Sequence, residues 1–216
     1  MKAVIVAGGE HDPRDERALT DADLIIAADS GANWLDVVGV RPDRLIGDLD
    51  SVDPAVVERM RAAGVEVDQH PIDKDASDLA LSVEWAVRHG ADDIVVLGWR
   101  GGALDHMAAN LLLLAAPLPA GTMLRLSAAD TTARVLRGPG QLALGDGPGS
   151  RVSLLPLGPT HGVTTHGLHW SLDDAHLDPG STRGLANRVD APGASVRVES
   201  GQLLVVEIAE NEGGGS

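Results

Sequence analysis

Through residue 117 the chain alternates short apolar runs with segments of helical spacing, and this alternation leaves few architectures open. The runs Lys2–Gly9 (KAVIVAGG), Asp23–Asp29 (DLIIAAD), Arg44–Asp48 (RLIGD), Val65–His70 and Asp92–Trp99 (DDIVVLGW) are rich in β-branched residues and bounded by Gly or Asp. They are mostly apolar on both faces, the pattern of parallel strands buried from both sides. Ser30–Val38, Pro54–Ala63, Asp78–Arg88 and Leu104–Ala115 carry helical periodicity. Gly39, Gly64 and Gly90 follow three of these segments, where a left-handed residue ends a helix cheaply. The expected fold begins with a doubly wound, mostly parallel α/β/α domain.

After Ala116-Pro117-Leu118-Pro119 helical stretches disappear. Met123–Ser127, Ala133–Leu136, Gln141–Leu144, Arg151–Leu157, Val163–Trp170, Ser195–Val198 and Leu203–Ile208 are short runs separated by Gly, Pro and Asp turns. Their spacing predicts a C-terminal antiparallel β-sandwich. The expected division is residues 1–119, residues 120–210 and a flexible tail at 211–216 (EGGGS preceded by Asn).

Composition then narrows the function. The 216 residues hold 32 Asp and Glu against 17 Lys and Arg, a formal net charge of −15. Phosphate neutralisation on a nucleic acid needs clustered basic residues, so no nucleic-acid partner is expected. The chain has no cysteine, which removes disulfides, thiolate metal sites and a cysteine nucleophile. No uninterrupted apolar stretch reaches membrane-spanning length and the first apolar run is too short for a signal peptide, so a cytoplasmic protein without a membrane partner is expected. With four Trp and neither Phe nor Tyr, the core must be built from Val, Leu, Ile and Ala. The charge is concentrated: residues 1–120 hold 22 acidic and 10 basic residues, net −12, and the remainder holds 10 and 7, net −3.

Several acids fall at predicted strand ends, where an open parallel sheet binds its ligands. In Ile46-Gly47-Asp48-Leu49-Asp50-Ser51, two carboxylates at i and i+2 suit a hard divalent cation such as Mg²⁺. The alternative is a helix cap at Asp50 or Ser51 ahead of Pro54, although a cap needs only one acid. In Asp73-Lys74-Asp75-Ala76-Ser77-Asp78, Lys74 is the sole lysine after Lys2, and its point charge suits a phosphate. Ser77 is a candidate cap for the helix at Asp78. Asp29-Ser30-Gly31-Ala32-Asn33 suits a metal shell, an anion on backbone N–H groups, or an ordinary cap. Gly8-Gly9 is a weaker phosphate-cradle signal.

In Trp99-Arg100-Gly101-Gly102-Ala103-Leu104-Asp105-His106 the paired glycines allow close approach of a ligand, and Arg100 can meet phosphate bidentately. His106 taken alone reads more readily as an ordinary surface histidine. Trp170, in Gly167-Leu168-His169-Trp170, is either a packing residue or a ligand platform. His161, His166, His169 and His176 lack a metal-ligand spacing and are read as surface.

Taken in order, DSGAN, GDLDSV, KDASD, GGALDH, VSLLPLG, GLHW and STRGLAN resemble the successive motifs of the thiamin pyrophosphokinase (thiamin diphosphokinase) family across nearly all of residues 1–210. The resemblance implies transfer of the diphosphoryl group of ATP to thiamin, giving thiamin diphosphate and AMP. It also implies a homodimer with composite sites, with Mg²⁺ as cofactor and ATP as co-substrate. Asp29, Asp48, Asp50 and Asp78 are then metal ligands, and Asp48, Asp50, Lys74, Asp78 and Asp105 catalytic residues. Asp29, Ser30, Gly31, Asn33, Lys74, Arg100, Gly101, Gly102 and His106 would bind ATP, with Asp78 or Asp105 accepting the hydroxyl proton. Trp170, Ser181, Thr182 and Asn187 would bind thiamin, the cationic thiazolium stacking on the Trp170 face. Ala103 replaces the Arg of the family's GGRLDH, Ala186 the Ser of its SN, and Ser77 a Thr. The competing expectations are a diphosphokinase for another alcohol, such as a hydroxymethylpterin, and a non-catalytic nucleotide- or thiamin-binding module.

Overall fold

The computed structural model describes residues 1–210 and forms two compact units, Met1–Ala129 and a second starting at Asp130. The expected tail at 211–216 lies outside the described residues.

The first unit carries six parallel strands: β1 (Lys2–Val6), β2 (Leu24–Ala28), β3 (Arg44–Gly47), β4 (Glu66–Gln69), β5 (Asp93–Leu97) and β6 (Met123–Ala128). Their order is β6-β5-β1-β2-β3-β4, and every pairing is parallel. Helices α1 (Gly31–Val37), α2 (Pro54–Ala62), α3 (Asp78–Arg88) and α4 (Leu104–Leu113) follow β2, β3, β4 and β5. The central strands are buried on both faces, Ala3 to Val6 and Ile94 to Leu97 being almost without exposure. That burial explains why their sequence is continuously apolar rather than alternating. Val4, Val6, Ala27, Leu35, Leu45, Val56, Val57, Met60 and Leu97 share one core under α1 and α2. As the sequence predicts, Gly39, Gly64 and Gly90 end three helices at positive φ.

The domain boundary is displaced from the expected residue 119. Met123–Ala128 reads as the first run of the β-rich half, yet β6 pairs in parallel with β5, so the first unit extends to Ala129. The 3-10 helix Pro13–Leu19 was not anticipated. Its polar sequence hides a buried acid: Asp15 accepts the Asp12 N–H at 2.9 Å and the Ala129 N–H at 2.7 Å.

The second unit is antiparallel throughout. Its strands are β7 (Thr131–Arg137), β8 (Gly140–Ala143), β9 (Arg151–Pro156), β10 (Thr160–His166), β11 (Ala175–Leu177), β12 (Asn187–Arg188), β13 (Ser195–Val198) and β14 (Gln202–Ile208). One sheet has the order β12-β9-β14-β7 and the other β11-β10-β13-β8. Their inward residues, among them Val152, Leu154, Val163, Leu177, Val196, Leu203 and Val205, form one aliphatic core between the sheets. Strand β10 stops at His166 instead of running to Trp170, because Gly167 turns the chain at φ 71°. The short β11 and β12 lack enough alternation to be read from sequence.

Candidate active site

The chain leaves β1 toward β2 on one side and β5 toward β6 on the other, so the order of the sheet reverses between two adjacent strands. Ligands of open α/β sheets bind beyond the carboxyl ends of the strands at such a point. A cavity of about 500 Å³ opens there, lined among others by Gly8, Gly9, Asp29, Ser30, Ser51, Ser77, Asp78, Trp99, Gly101, Gly102 and His106. The backbone after β1 is laid directly against the segment after β5, with Gly9 N–H donating to Gly98 O at 2.8 Å and Glu10 N–H to Arg100 O at 2.7 Å. A Cβ on Gly9 would overlap both carbonyl oxygens, and one on Gly31 would overlap Val6 O. These two glycines therefore serve close backbone packing. Gly102, in contrast, faces open space at φ 72° and leaves room for a ligand.

Three carboxylates meet at the ends of β2 and β3. Oxygen atoms of Asp29, Asp48 and Asp50 lie within 4.8 Å of one another. Asp29 and Leu49 both hold positive φ, 47° and 69°, a conformation that costs about 1–3 kcal/mol per non-glycine residue and is retained where surroundings enforce it. Here the enforcing bonds are visible. Asp29 N–H donates to Ile46 O at 2.8 Å, and Leu49 N–H donates to Asp29 Oδ1 at 3.1 Å. Asp50 N–H donates to Asp48 Oδ1 at 3.3 Å, and the Ser51 hydroxyl donates to Asp50 Oδ1 at 2.8 Å.

The capping alternatives are decided differently at each helix. Asp53 caps α2 by accepting from Ala55 N–H at 2.8 Å, so Asp48, Asp50 and Ser51 are not needed as caps. Ser30 precedes α1 without a side-chain cap bond, whereas Ser77 does cap α3, accepting from Ala80 N–H at 3.2 Å. Asn33 is a brace: its Nδ2 donates to Ser51 O at 3.2 Å and its Oδ1 accepts from Asp53 N–H at 3.0 Å. It thus fixes the Asp50 loop on α1 and contributes no wall to the cavity.

Lys74 joins the acids of two elements. Its Nζ donates to Asp48 Oδ2 at 2.6 Å and lies 3.2 Å from Asp78 Oδ1. Asp78 thus stands beyond the 4.8 Å trio, tied to it through an ammonium. Burial pushes the Asp29 carboxyl above the usual range; a backbone hydrogen bond from Ser30 opposes this, and the charges of Asp78, Asp48 and Asp50 add to it. The Lys74 hydrogen bond holds Asp48 below that range. Lys74 itself is disfavoured as a cation by burial, but its bonds to Asp48 and Asp78 outweigh this and raise its pKa.

The other expected nucleotide residues divide. Gly101 and His106 line the cavity with Gly102, but the side chains of Arg100 and Asp105 are not part of its wall. Arg100 Nε is buried without a hydrogen-bond partner, and Asp105 is exposed and accepts from His106 N–H at 2.9 Å. Three residues went unnoticed in the sequence. Asn110 on α4 lines the cavity and donates to Trp99 O at 2.8 Å. His11 stacks on Trp34 with ring centroids 4.2 Å apart, and its Nε2 lies 2.9 Å from Ala7 O. Burial lowers the His11 pKa. No spacing announces these partners, which lie more than ten or twenty residues apart in the chain.

In the second unit Trp170 is 58% exposed although large apolar rings are normally covered. Asn187 holds its backbone from both sides, accepting from Trp170 N–H at 3.1 Å and donating to Trp170 O at 2.8 Å. Asn187 is buried and positions the Trp170 backbone. His169 meets Trp170 edge-on, and its Nδ1 lies 2.7 Å from Asp190, which also pairs with Arg188 at 3.0 Å. Thr182 is exposed and Ser181 half-buried in the turn between β11 and β12, where Ser181 N–H donates to Asp178 O at 3.0 Å. The histidines are not all isolated: His161 and His176 stack at 4.2 Å.

A pH dependence follows from Asp29. Its proton is held more tightly in the fold than in the unfolded chain, so its cost is absent in acid and appears as pH rises through the ordinary carboxylate range. Asp29→Asn keeps the acceptor for Leu49 N–H. In the presence of chelator it should raise Tm near neutral pH, by about 2–4 °C per kcal/mol relieved. The gain should shrink as pH falls through that range; a gain independent of pH in thermal melts would contradict this origin.

A family model described as the catalytic domain of thiamin pyrophosphokinase matches residues 16–126. One described as that enzyme's vitamin B1 binding domain matches residues 141–204. Thiamine pyrophosphokinase of Bacillus subtilis (strain 168) is 27% identical over 211 residues, covering 95% of this chain and 98% of that protein. Thiamine pyrophosphokinase 1 of Oryza sativa subsp. japonica is 29% identical over 225 residues, covering 91% and 83%. The crystal structure of the Bacillus subtilis enzyme is similar with a TM-score of 0.87, covering 97% of this chain and 100% of that one. Matched in order along both of its units, the chain belongs to the thiamin pyrophosphokinase family.

Proposed function

We propose that this chain is a thiamin diphosphokinase: the thiamin hydroxyl oxygen attacks the β-phosphorus of ATP, the bond to the α-phosphate oxygen breaks, and AMP leaves. The observation that carries this reading is the gathering of Asp29, Asp48 and Asp50 beside the cavity at the reversal of the sheet, in a chain of this family. The first unit is the ATP-binding catalytic domain and the second the thiamin-binding domain in this reading.

Mg²⁺ fits the donor set. Three carboxylates offer hard oxygen ligands within reach of one another. Bound with ATP, the cation supplies neutralisation of charge on the phosphate oxygens. Asp48 and Asp50 would hold it from the β3 loop and Asp29 from the end of β2, with Asp78 on α3 standing outside that group across Lys74. Ser30 and Gly101-Gly102 give the phosphates a surface free of bulky side chains, Gly31 lets the chain pack closely behind Ser30, and Lys74 offers a point charge. Of the two carboxylates considered for the hydroxyl proton, Asp78 lines the cavity and Asp105 does not, which favours an Asp78 carboxylate oxygen as acceptor. Orientation of the two substrates carries much of the rate in such a transfer.

Trp170 offers its exposed ring to the thiamin cation, with Asn187 fixing its backbone and Ser181 and Thr182 nearby in sequence order. A homodimer with composite sites belongs to the same reading. It is supported by α4, an apolar helix with no buried residue, on which Leu104 and Leu112 are 77% and 61% exposed. A cytoplasmic location, where ATP is supplied, accords with it. Among the described residues no helix is long and apolar enough to cross a membrane.

Incubation with ATP, Mg²⁺ and thiamin should yield AMP and thiamin diphosphate; AMP with a pterin alcohol but not with thiamin would overturn the assignment. Asp50→Asn should lower kcat about 100-fold or more, the scale of losing a preorganised group that stabilises transferring charge; unchanged turnover would remove the cation from this loop. Trp170→Ala should raise the thiamin KM about tenfold, equivalent to about 1.4 kcal/mol, with Tm little changed because the ring is exposed. Light scattering should give twice the 22.3 kDa chain mass, and Leu112→Glu should shift it toward the monomer.

A further inference from the structure

Lys74 occupies an unusual position for one of only two lysines in the chain. It sits in the irregular stretch 70–77 between β4 and α3, and its ammonium reaches into the acidic site. The side chains it joins are mostly covered: Lys74 is 14% exposed, Asp48 12% and Asp78 21%. Both Asp48 oxygens are already engaged, Oδ2 by the ammonium at 2.6 Å and Oδ1 by Asp50 N–H at 3.3 Å. Asp48 is also the member of the trio through which Lys74 is connected to Asp29 and Asp50. A divalent cation brought to Asp48 would meet the Lys74 charge at short range in a poorly solvated place, where repulsion between cations is strong.

We propose that Lys74 is an internal counter-ion, holding Asp48 and Asp78 while the nucleotide is absent and transferring to a nucleotide phosphate when it binds, so that cation and nucleotide load the site as a coupled pair. The inference rests on the reading of Asp29, Asp48 and Asp50 as cation ligands. Its physical basis is exchange of partners. The ammonium on its long stem can move without rearranging a helix or strand, and a phosphate oxygen can replace the carboxylates it leaves. Asp48 is then free to turn toward a cation. Because binding free energies are reciprocal, a nucleotide that removes Lys74 from Asp48 strengthens cation binding, and the cation strengthens nucleotide binding by the same factor. A lysine serving only to bind phosphate would not need two carboxylate partners in the empty site.

The test is Mn²⁺ titration of the full chain, wild type against Lys74→Met, by calorimetry and by the electron paramagnetic resonance signal of free Mn²⁺. It is performed without nucleotide and with a non-hydrolysable ATP analogue. Without nucleotide, Lys74→Met should bind Mn²⁺ at least tenfold tighter than wild type. The analogue should tighten Mn²⁺ binding more in the wild type than in the variant. Lys74→Arg, which keeps the charge, should retain the weak nucleotide-free binding and so separates charge from damage to the fold. Equal or weaker Mn²⁺ binding by Lys74→Met, with Mn²⁺ bound by both proteins, overturns the counter-ion role alone. No Mn²⁺ binding by any of the proteins, even with the analogue, overturns the cation reading and this proposal with it.

Discussion

The convergence of three carboxylates at the ends of β2 and β3 sets the conditions for the rest of the site. Asp29, Asp48 and Asp50 are brought within reach of one another by a backbone that accepts two positive φ values to do so. Such an arrangement is unfavourable on its own, as backbone strain and, at Asp29, as burial of a carboxylate. It persists because Leu49 N–H, Asp50 N–H and the Asn33 brace over-determine the loop, and because Lys74 supplies one positive charge. The parallel sheet beneath provides rigidity, with Ile5, Ile26, Leu45 and Ile46 almost wholly buried. Stability is thereby given up locally, and in the proposed reading this keeps an acidic site ready for a cation and phosphates.

The same principle gives the uneven charge a meaning. An acidic first half would repel ATP if its carboxylates were simply solvated surface. Much of that surface is indeed paired, as in Arg59–Asp36, Arg44–Glu66 and Arg125–Asp93, and those pairs fasten neighbouring elements. The exceptional acids are those at the strand ends, whose nearest cation is a single lysine. Scarce aromatics sharpen the contrast in the second unit. Trp34, Trp85 and Trp99 are covered or stacked on neighbours, whereas Trp170 stands exposed on a backbone pinned by a buried asparagine.

Fold class was legible because buried parallel strands and antiparallel strands leave different periodicities, and the change of period after residue 117 is abrupt. The exact boundary was not legible: β6 has the length and alternation of a sandwich strand, and only its pairing with β5 assigns it to the first unit. The acidic loop stood out in the sequence because two aspartates exceed what one helix cap requires, and the cap proved to be Asp53. Asn33 and Asn187 were legible as important but not in their manner of acting, since a motif does not reveal whether an amide faces a ligand or braces the residue that does. Asp105 is a carboxylate in a suggestive motif whose side chain accepts from the adjacent backbone N–H, a local contact that the motif does not reveal. The His11–Trp34 stack depends on two segments meeting across the sheet, information that local sequence does not hold.

In the proposed reading the strand-end carboxylates hold a divalent cation together with the nucleotide. A crystal structure of the protein with Mg²⁺, thiamin and a non-hydrolysable ATP analogue would show this. Mg²⁺ should lie about 2.0–2.1 Å from carboxylate oxygens of Asp48 and Asp50, with Lys74 Nζ moved from Asp48 to a phosphate oxygen. Nucleotide bound with its cation held by other residues, and with the Lys74–Asp48 pair intact, would contradict it.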